Sequence, residues 1–275
     1  MILQLIFSVL LSFVIFFIAF NAKTGQTVLA CNMKALLVVL GGTFAATLIA
    51  YPWRKLTWTF QLLKKAFLTK DEIDWTITNI VDLARTYRHD GIRALEQQAN
   101  RLSTGFLKDS IHLVSFQCSR EKIEQIVQKE AQLTYVGYET GYRILYNMAR
   151  LAPALGLVGT IVTLVRVFGQ ITDPKSLAGN MAIALMSTFY GVVLANLCFV
   201  PLSNKLREFI DREEIRLELI REGILDLYDG ENPRLMRFKL ETLSSSVAQH
   251  EKAQRRPRLR LGMIAPKRGT SSVTP

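Results

Sequence analysis

The sequence predicts an all-α membrane protein: four transmembrane helices, a helical cytoplasmic domain between the second and third, and a long helix after the fourth. Three observations predict it. First, hydrophobic residues fill 49% of the 275 positions, but they concentrate in four blocks, 2–20, 33–51, 151–171 and 181–201. Each block is about 20 residues, enough at ~1.5 Å per residue to cross a ~30 Å hydrocarbon core. None contains Asp or Glu, and only Lys34 and Arg166 are charged within them. Second, basic residues gather at alternate block ends. Arg54, Lys55, Lys64 and Lys65 follow the second, Arg143 and Arg150 precede the third, and Lys205, Arg207 and Arg212 follow the fourth, while the turns 21–32 and 172–180 carry little charge. Third, the hydrophilic stretches between blocks keep apolar residues at helical three- and four-residue steps.

Basic loops stay cytoplasmic, so both termini and the long middle segment are expected inside. The net charge of +11 is then largely topology, with anionic membrane lipid as the nearest partner and no nucleic acid required. The division expected is a transmembrane hairpin over 1–52, a cytoplasmic helical domain over 53–150 and a second transmembrane hairpin over 151–204. Cytoplasmic helices over 205–243 and a disordered basic tail over 244–275 complete it.

The first block is rich in Leu, Ile and Phe and has few small residues, which suits a lipid-facing helix. With no basic residue ahead of it and no small-residue cleavage site after it, it reads as a retained span. The second carries Gly41, Gly42, Thr43, Ala45, Ala46 and Thr47, a patch for close helix contact, and Pro52 ends it beside the interfacial residues Trp53 and Trp58. In the middle segment a helix is expected from Asp71 through Arg85, with Trp75, Ile77, Ile80, Val81 and Ala84 on its apolar side. A charged break around Gly91 precedes a helix with Ala94, Leu95, Ala99 and Leu102, and another helix carries Ile111, Val114 and Phe116. From Arg120 to Met148 there is no proline, so one helix can run straight into the third span, with Ile123, Ile126, Val127, Leu133 and Val136 as its apolar stripe. After the fourth span, Leu206, Phe209, Ile210, Leu217, Ile220, Ile224 and Leu227 mark another amphipathic helix, closed by Gly230 and Pro233 and expected to pack on the middle segment.

The third and fourth spans carry the chemistry. Pro153, Gly156, Gly159, Thr160 and Thr163 share one face of the third; Ala184, Thr188, Gly191 and Ala195 share one face of the fourth, with Ser187 beside them. Lipid-facing surface needs no such residues, whereas close packing inside a membrane does. Thr160 and Thr188 both fall in the middle third of the bilayer. A polar pair at that depth either satisfies a packed interface or lines an ion path. The spans hold no carboxylate, so an ion relay here needs an acid from another chain. His89, His112 and His250 are too scattered for a metal site, Cys31, Cys118 and Cys198 fall in different compartments, and no nucleophile–base pair or phosphate-binding loop is present. An enzyme is not expected, nor a cofactor.

Four fragments then carry a resemblance: GGTFAATLIAYP from Gly41, LARTYRHDGIRALE from Leu83, APALGLVGT from Ala152, and STFYGVVLAN with PLSNKL from Ser187. In that order they resemble the MotA/PomA family, the A subunit of the flagellar stator, over roughly residues 1–230. The last two alone also fit the wider TolQ/ExbB group, whose members drive other envelope processes. The resemblance implies a bacterial inner-membrane motor component, five copies surrounding two MotB/PomB-like single-span subunits whose membrane Asp carries the ion. Ion flow turns the ring, which pushes a rotor switch protein of the FliG type. Position by position, Arg88 and Glu96 match the family's rotor-facing charges, though exposed charges on a helix are ordinarily just solvated. Pro153 and Pro201 match the prolines credited with coupling ion passage to cytoplasmic movement, and Thr188 matches the threonine facing the partner's aspartate. Thr160 stands where sodium-type members have threonine and many proton-type members alanine, and Ser187 where sodium-type members often have a second threonine. The transported ion is thus H+ or Na+, leaning to Na+. Arg166 has no counterpart in the family pattern.

Overall fold

The computed structural model describes residues 33–68, 72–102, 105–169 and 174–254, all of the regular structure among them helical. The expected first span, the turn that follows it and the tail beyond Gln254 lie outside the described residues. The helices are α1 (Met33–Ala50), α2 (Trp53–Leu68), α3 (Ile73–Arg101), α4 (Phe106–Ser115), α5 (Arg120–Gly169), α6 (Pro174–Val193), α7 (Val200–Tyr228) and α8 (Pro233–Gln254), with a π-helical turn, Leu194–Phe199, joining α6 to α7. Two of these stretches, α5 and the run through α6 and α7, are long and apolar enough to cross a membrane, or three if the bent pair α1–α2 counts as one.

The chain forms two compact units, one of residues 1–72 with 121–218, the other of 73–120 with 219–275. In the first, α1 ends where Pro52 lacks an N–H and disfavours helix at Tyr51. The chain then turns by 113° into α2. The sequence reading missed α2 as an element and saw only its interfacial tryptophans. Its Leu56, Leu62, Leu63 and Ala66 join a core with Ile144, Leu145 and Met148 of α5 and Leu206, Phe209 and Ile210 of α7. The α5 backbone comes close at Gly141, where an added Cβ would stand 3.2 Å from Leu62 and 3.4 Å from Trp58. Trp53, Phe60 and Leu68 on the other side of α2 remain exposed beside Arg54, Lys55 and Lys64.

Helix α5 is continuous, as the lack of breakers before Met148 predicts, and it runs on through Pro153. The apolar stripe expected along it is only half right. Ile123 and Val127 are buried, but Leu133 and Val136 are exposed. The fourth span and the helix after it are likewise one rod, with no break at the boundary expected near residue 205. A π turn accommodates Pro201, because the widened turn relieves the clash between its ring and the carbonyl four residues earlier.

In the second unit, α3 is interrupted at Gly91, whose φ of 77° is open to glycine and strained for other residues. Ile77, Ile80, Val81 and Ala84 before the kink are buried, and so are Leu95 and Ala99 after it. Trp75, expected on the apolar side, is 48% exposed. Close contact of α3 with α7 is set at Gly223, whose missing Cβ would lie 2.6 Å from Ile80 Cγ2. Helix α7 ends in a Schellman motif: Glu231 N–H donates to Asp226 O at 3.0 Å and Gly230 N–H to Leu227 O at 3.2 Å, with Gly230 at φ 69°. Asn232 then caps α8 by accepting from the Arg234 N–H at 3.0 Å, and Pro233 takes the first helical position. Helix α8 continues past Ser244 to Gln254, so the disordered tail expected from 244 is helical over its first part.

Candidate functional site

The small residues of α5 and α6 bring the two backbones into direct contact. A Cβ at Gly191 would sit 2.6 Å from Ala152 O, 3.1 Å from Pro153 Cα and 3.2 Å from Gly156 Cα. One at Gly156 would sit 2.7 Å from Ser187 O. Only glycine permits this approach, since the obstructing atoms are backbone and cannot rotate aside. Leucine-rich surfaces keep helix axes 8–10 Å apart; small residues let them come closer.

This closeness brings the expected hydroxyls together. Thr160 Oγ1 lies 2.6 Å from Thr188 Oγ1, 3.0 Å from Ala184 O and 3.2 Å from Gly156 O. Carbonyls only accept, and Thr160 has one proton to give. When Thr160 donates to a carbonyl, Thr188 must donate to Thr160. Thr160 is 6% exposed and Ser187 4%, whereas Thr188 is half-buried at the rim of the seam. Thr188 is thus the hydroxyl with lone pairs facing outward from the pair. By contrast, Thr163 donates back to Gly159 O at 2.8 Å, and Thr43 and Thr47 of α1 donate to Val39 O and Thr43 O. These three satisfy their own helix and stand apart from the pair.

Pro153 stands at the tightest crossing, next to Gly191, and its ring deprives the Ala149 carbonyl of its usual intrahelical donor. Pro201 follows the π turn at the start of α7. Both prolines therefore lie inside continuous rods rather than at the helix ends that ordinary punctuation would give. Below Pro153, Asn147 Nδ2 donates to Tyr51 Oη at 2.8 Å and ties α5 to the end of α1. The sequence did not single out this pair, because neither residue belongs to a periodic pattern. The last part of α5 presents Leu157, Val158, Ile161, Val162, Val165 and Phe168 to the surroundings, as a helix facing lipid or other spans does, and Arg166 is exposed among them.

Past the spans, α5 and α7 are joined by ionic contacts. Arg207 Nη1 lies 2.9 Å from Glu139 Oε2, and its Nε lies 2.9 Å from Asp211 Oδ1. Its guanidinium sits 5.7 Å from the Tyr142 ring centroid. Burial works against the charge of Arg207, yet Asp211, Tyr135 and Glu139 outweigh it and strengthen its hold on the proton. Burial likewise pushes the Tyr138 phenol up, with Glu213 adding to it.

Arg88 and Glu96 belong to the second unit. Both are exposed on α3, one on each side of the Gly91 kink, in a run of exposed charges that includes Arg85, His89, Asp90 and Arg93. No cluster of three or more His, Cys, Asp or Glu able to hold a metal occurs among the described residues.

Residues 98–219 match the model of the MotA/TolQ/ExbB proton channel family. The chain is 30% identical over 226 residues to chemotaxis protein PomA of Vibrio alginolyticus, covering 82% of this chain and 87% of that protein. It is 31% identical over 234 residues to the uncharacterized protein YtxD of Bacillus subtilis, covering 82% of each. Its fold is shared with a chain in the structure of C. jejuni MotAB, with a TM-score of 0.79 and 21% identity over 88% of this chain and 96% of that one.

Proposed function

We propose a function from what the chain is by descent: it belongs to the MotA/PomA branch of the MotA/TolQ/ExbB proton channel family. It is a membrane protein of a channel-forming kind, and its role is that of the A subunit of a flagellar-motor stator. A motility relative, PomA, aligns with it over most of both chains, which favours the stator over an energiser of another envelope process.

The observation that carries the mechanism is the Thr160–Thr188 hydroxyl pair, held at 2.6 Å deep in a span that has no acid of its own. The acid comes from a MotB-like single-span partner bearing a membrane Asp. With its ion bound, that carboxylate needs no donor from this chain, and the Thr188 proton stays on Thr160. With its ion released, it needs a donor, and Thr188 turns its proton outward to supply one. Thr160 then turns its own proton from Ala184 O to Thr188, so that a hydrogen stays between the two oxygens. The hydroxyl rotation at Thr188 thus follows the charge of the acid. Because Gly191 lies against Pro153, a shift at the seam reaches the proline where α5 lacks a backbone hydrogen bond and bends most cheaply.

In this reading the chain has four spans with both termini cytoplasmic in the bacterial inner membrane, and five copies surround the partner. Arg88 and Glu96 meet a rotor protein of the FliG type, and the transported ion is sodium, for which the paired oxygens of Thr160 and Thr188 are suitable ligands. Deleting the gene tests the function: swimming stops while filaments still assemble, and the intact gene restores it. Cells that swim normally without the chain would refute the assignment.

A further inference from the structure

We propose that Arg207 is a positioning residue that locks the cytoplasmic extensions of the third and fourth spans into one lever, so that movement at Pro153 and Pro201 is delivered as torque. The inference rests on the stator reading. It comes from a placement that neither proline explains. At ~1.5 Å per residue, Arg207 lies about 9 Å below Pro201 along α7, and Glu139 about 21 Å below Pro153 along α5. Both helices thus pass their flexible point before the two side chains meet.

The fork of Arg207 holds two acids at once. Nη1 reaches across to Glu139 on α5 at 2.9 Å, and Nε holds Asp211 on its own helix at 2.9 Å. The plane of the guanidinium is steadied by Tyr142, one turn from Glu139. The side chains are 20% exposed for Glu139, 10% for Asp211 and 41% for Arg207, so the contact is partly open to solvent but screened less than a pair on an open surface. The apolar contacts nearby, Ile144 and Leu145 against Leu206, Phe209 and Ile210, bury area but are not directional. They hold the helices together without fixing how far one slides along the other. A planar fork with two acceptors does fix it, and a lysine, which is a point charge on a flexible stem, does not.

The test places R207K, R207Q, R207E, Y142F and the exchanged pair E139R with R207E in the full chain, produced with its partner subunit in cells lacking the native gene. Three quantities are read: amount in the membrane, ion entry through the assembled complex, and stall torque of single motors. R207K and R207Q are expected to keep membrane amount and ion entry while torque delivered per ion falls about two-fold or more. Y142F, which keeps the ring, is expected to match the native chain, and the exchanged pair to recover part of the torque lost in R207E alone. Full torque in R207Q would overturn the proposal. So would torque that falls only in step with membrane amount or ion entry, since that is what a purely structural or conductive role predicts. Normal rotation in cells lacking the chain altogether would instead remove the stator reading beneath it.

Discussion

Replacing Gly191 by alanine probes the seam directly. The new Cβ would stand 2.6 Å from Ala152 O and 3.1 Å from Pro153 Cα, against ordinary contact at 3.4–4 Å. Neither atom belongs to a rotatable side chain, so α6 must move away from α5 by about 0.8 Å to reach the near edge of that range. Applied to the Thr160–Thr188 pair, the same shift stretches 2.6 Å to about 3.4 Å, past the usual limit of about 3.0 Å for an O–H···O bond. Overpacking costs about 1–3 kcal/mol and a lost hydrogen bond within a membrane about 0.6–1.7 kcal/mol. Together Gly191→Ala is expected to destabilise by about 2–5 kcal/mol and to abolish motor rotation. Gly41→Ala, where a Cβ meets nothing within 4 Å, is the matched control. Thermal melting of the detergent-solubilised complex and single-motor rotation are the assays. If Gly191→Ala melts and rotates like Gly41→Ala, the backbones do not touch as described and the reasoning fails.

The other expectations concern the ion and the rotor. Thr188→Val keeps the volume and removes the proton that follows the partner's acid, so ion entry is expected to fall at least ~10-fold with little loss of protein from the membrane, while Thr188→Ser retains most of the flux; equal flux in Val and Ser variants would exclude a hydroxyl role. Reversing charge at Arg88 or Glu96 should lower torque and leave membrane amount unchanged, because exposed charges contribute ~0–1 kcal/mol to stability; restoration by a reversed rotor charge is the check on direct contact. Swimming speed is expected to track external sodium and to persist with a protonophore present, and speed independent of sodium would assign the proton instead.

Much of the site was legible in the sequence because membrane packing leaves a periodic trace. Gly156, Gly159, Thr160, Thr188 and Gly191 recur at three- and four-residue steps, and those steps are what bring Thr160 to Thr188. The kink at Gly91 and the stop at Gly230 and Pro233 were equally plain, since positive φ and a missing N–H are properties of single residues. What escaped was decided by neighbours. Helix α2 follows Pro52 so closely that its first turn reads as the end of a span, and only burial of Leu56, Leu62 and Leu63 against α5 and α7 identifies it. Leu133 and Val136 fit the apolar period of α5 yet stay exposed, because nothing in the described chain covers that stretch.

The prolines are the instructive disagreement. Proline is ordinarily found at a helix start or just past a helix end, yet Pro153 and Pro201 both lie within continuous rods. The rods survive because each proline is compensated differently. At Pro153 the α5 helix is held against α6 by Gly156 and Gly191, so the tertiary contact makes up for a missing bond. At Pro201 the preceding π turn has already widened the helix, so the ring finds space. A rod with one weak joint transmits force along its length and yields at a chosen place, which a broken helix does not. Both joints follow the seam along their own helix, toward Met148 on α5 and toward Lys205 on α7, and both precede the Arg207 crosspiece. That order, hydroxyl pair, then weak joint, then rigid tie, is the one in which a small rotation at Thr188 moves two helices together.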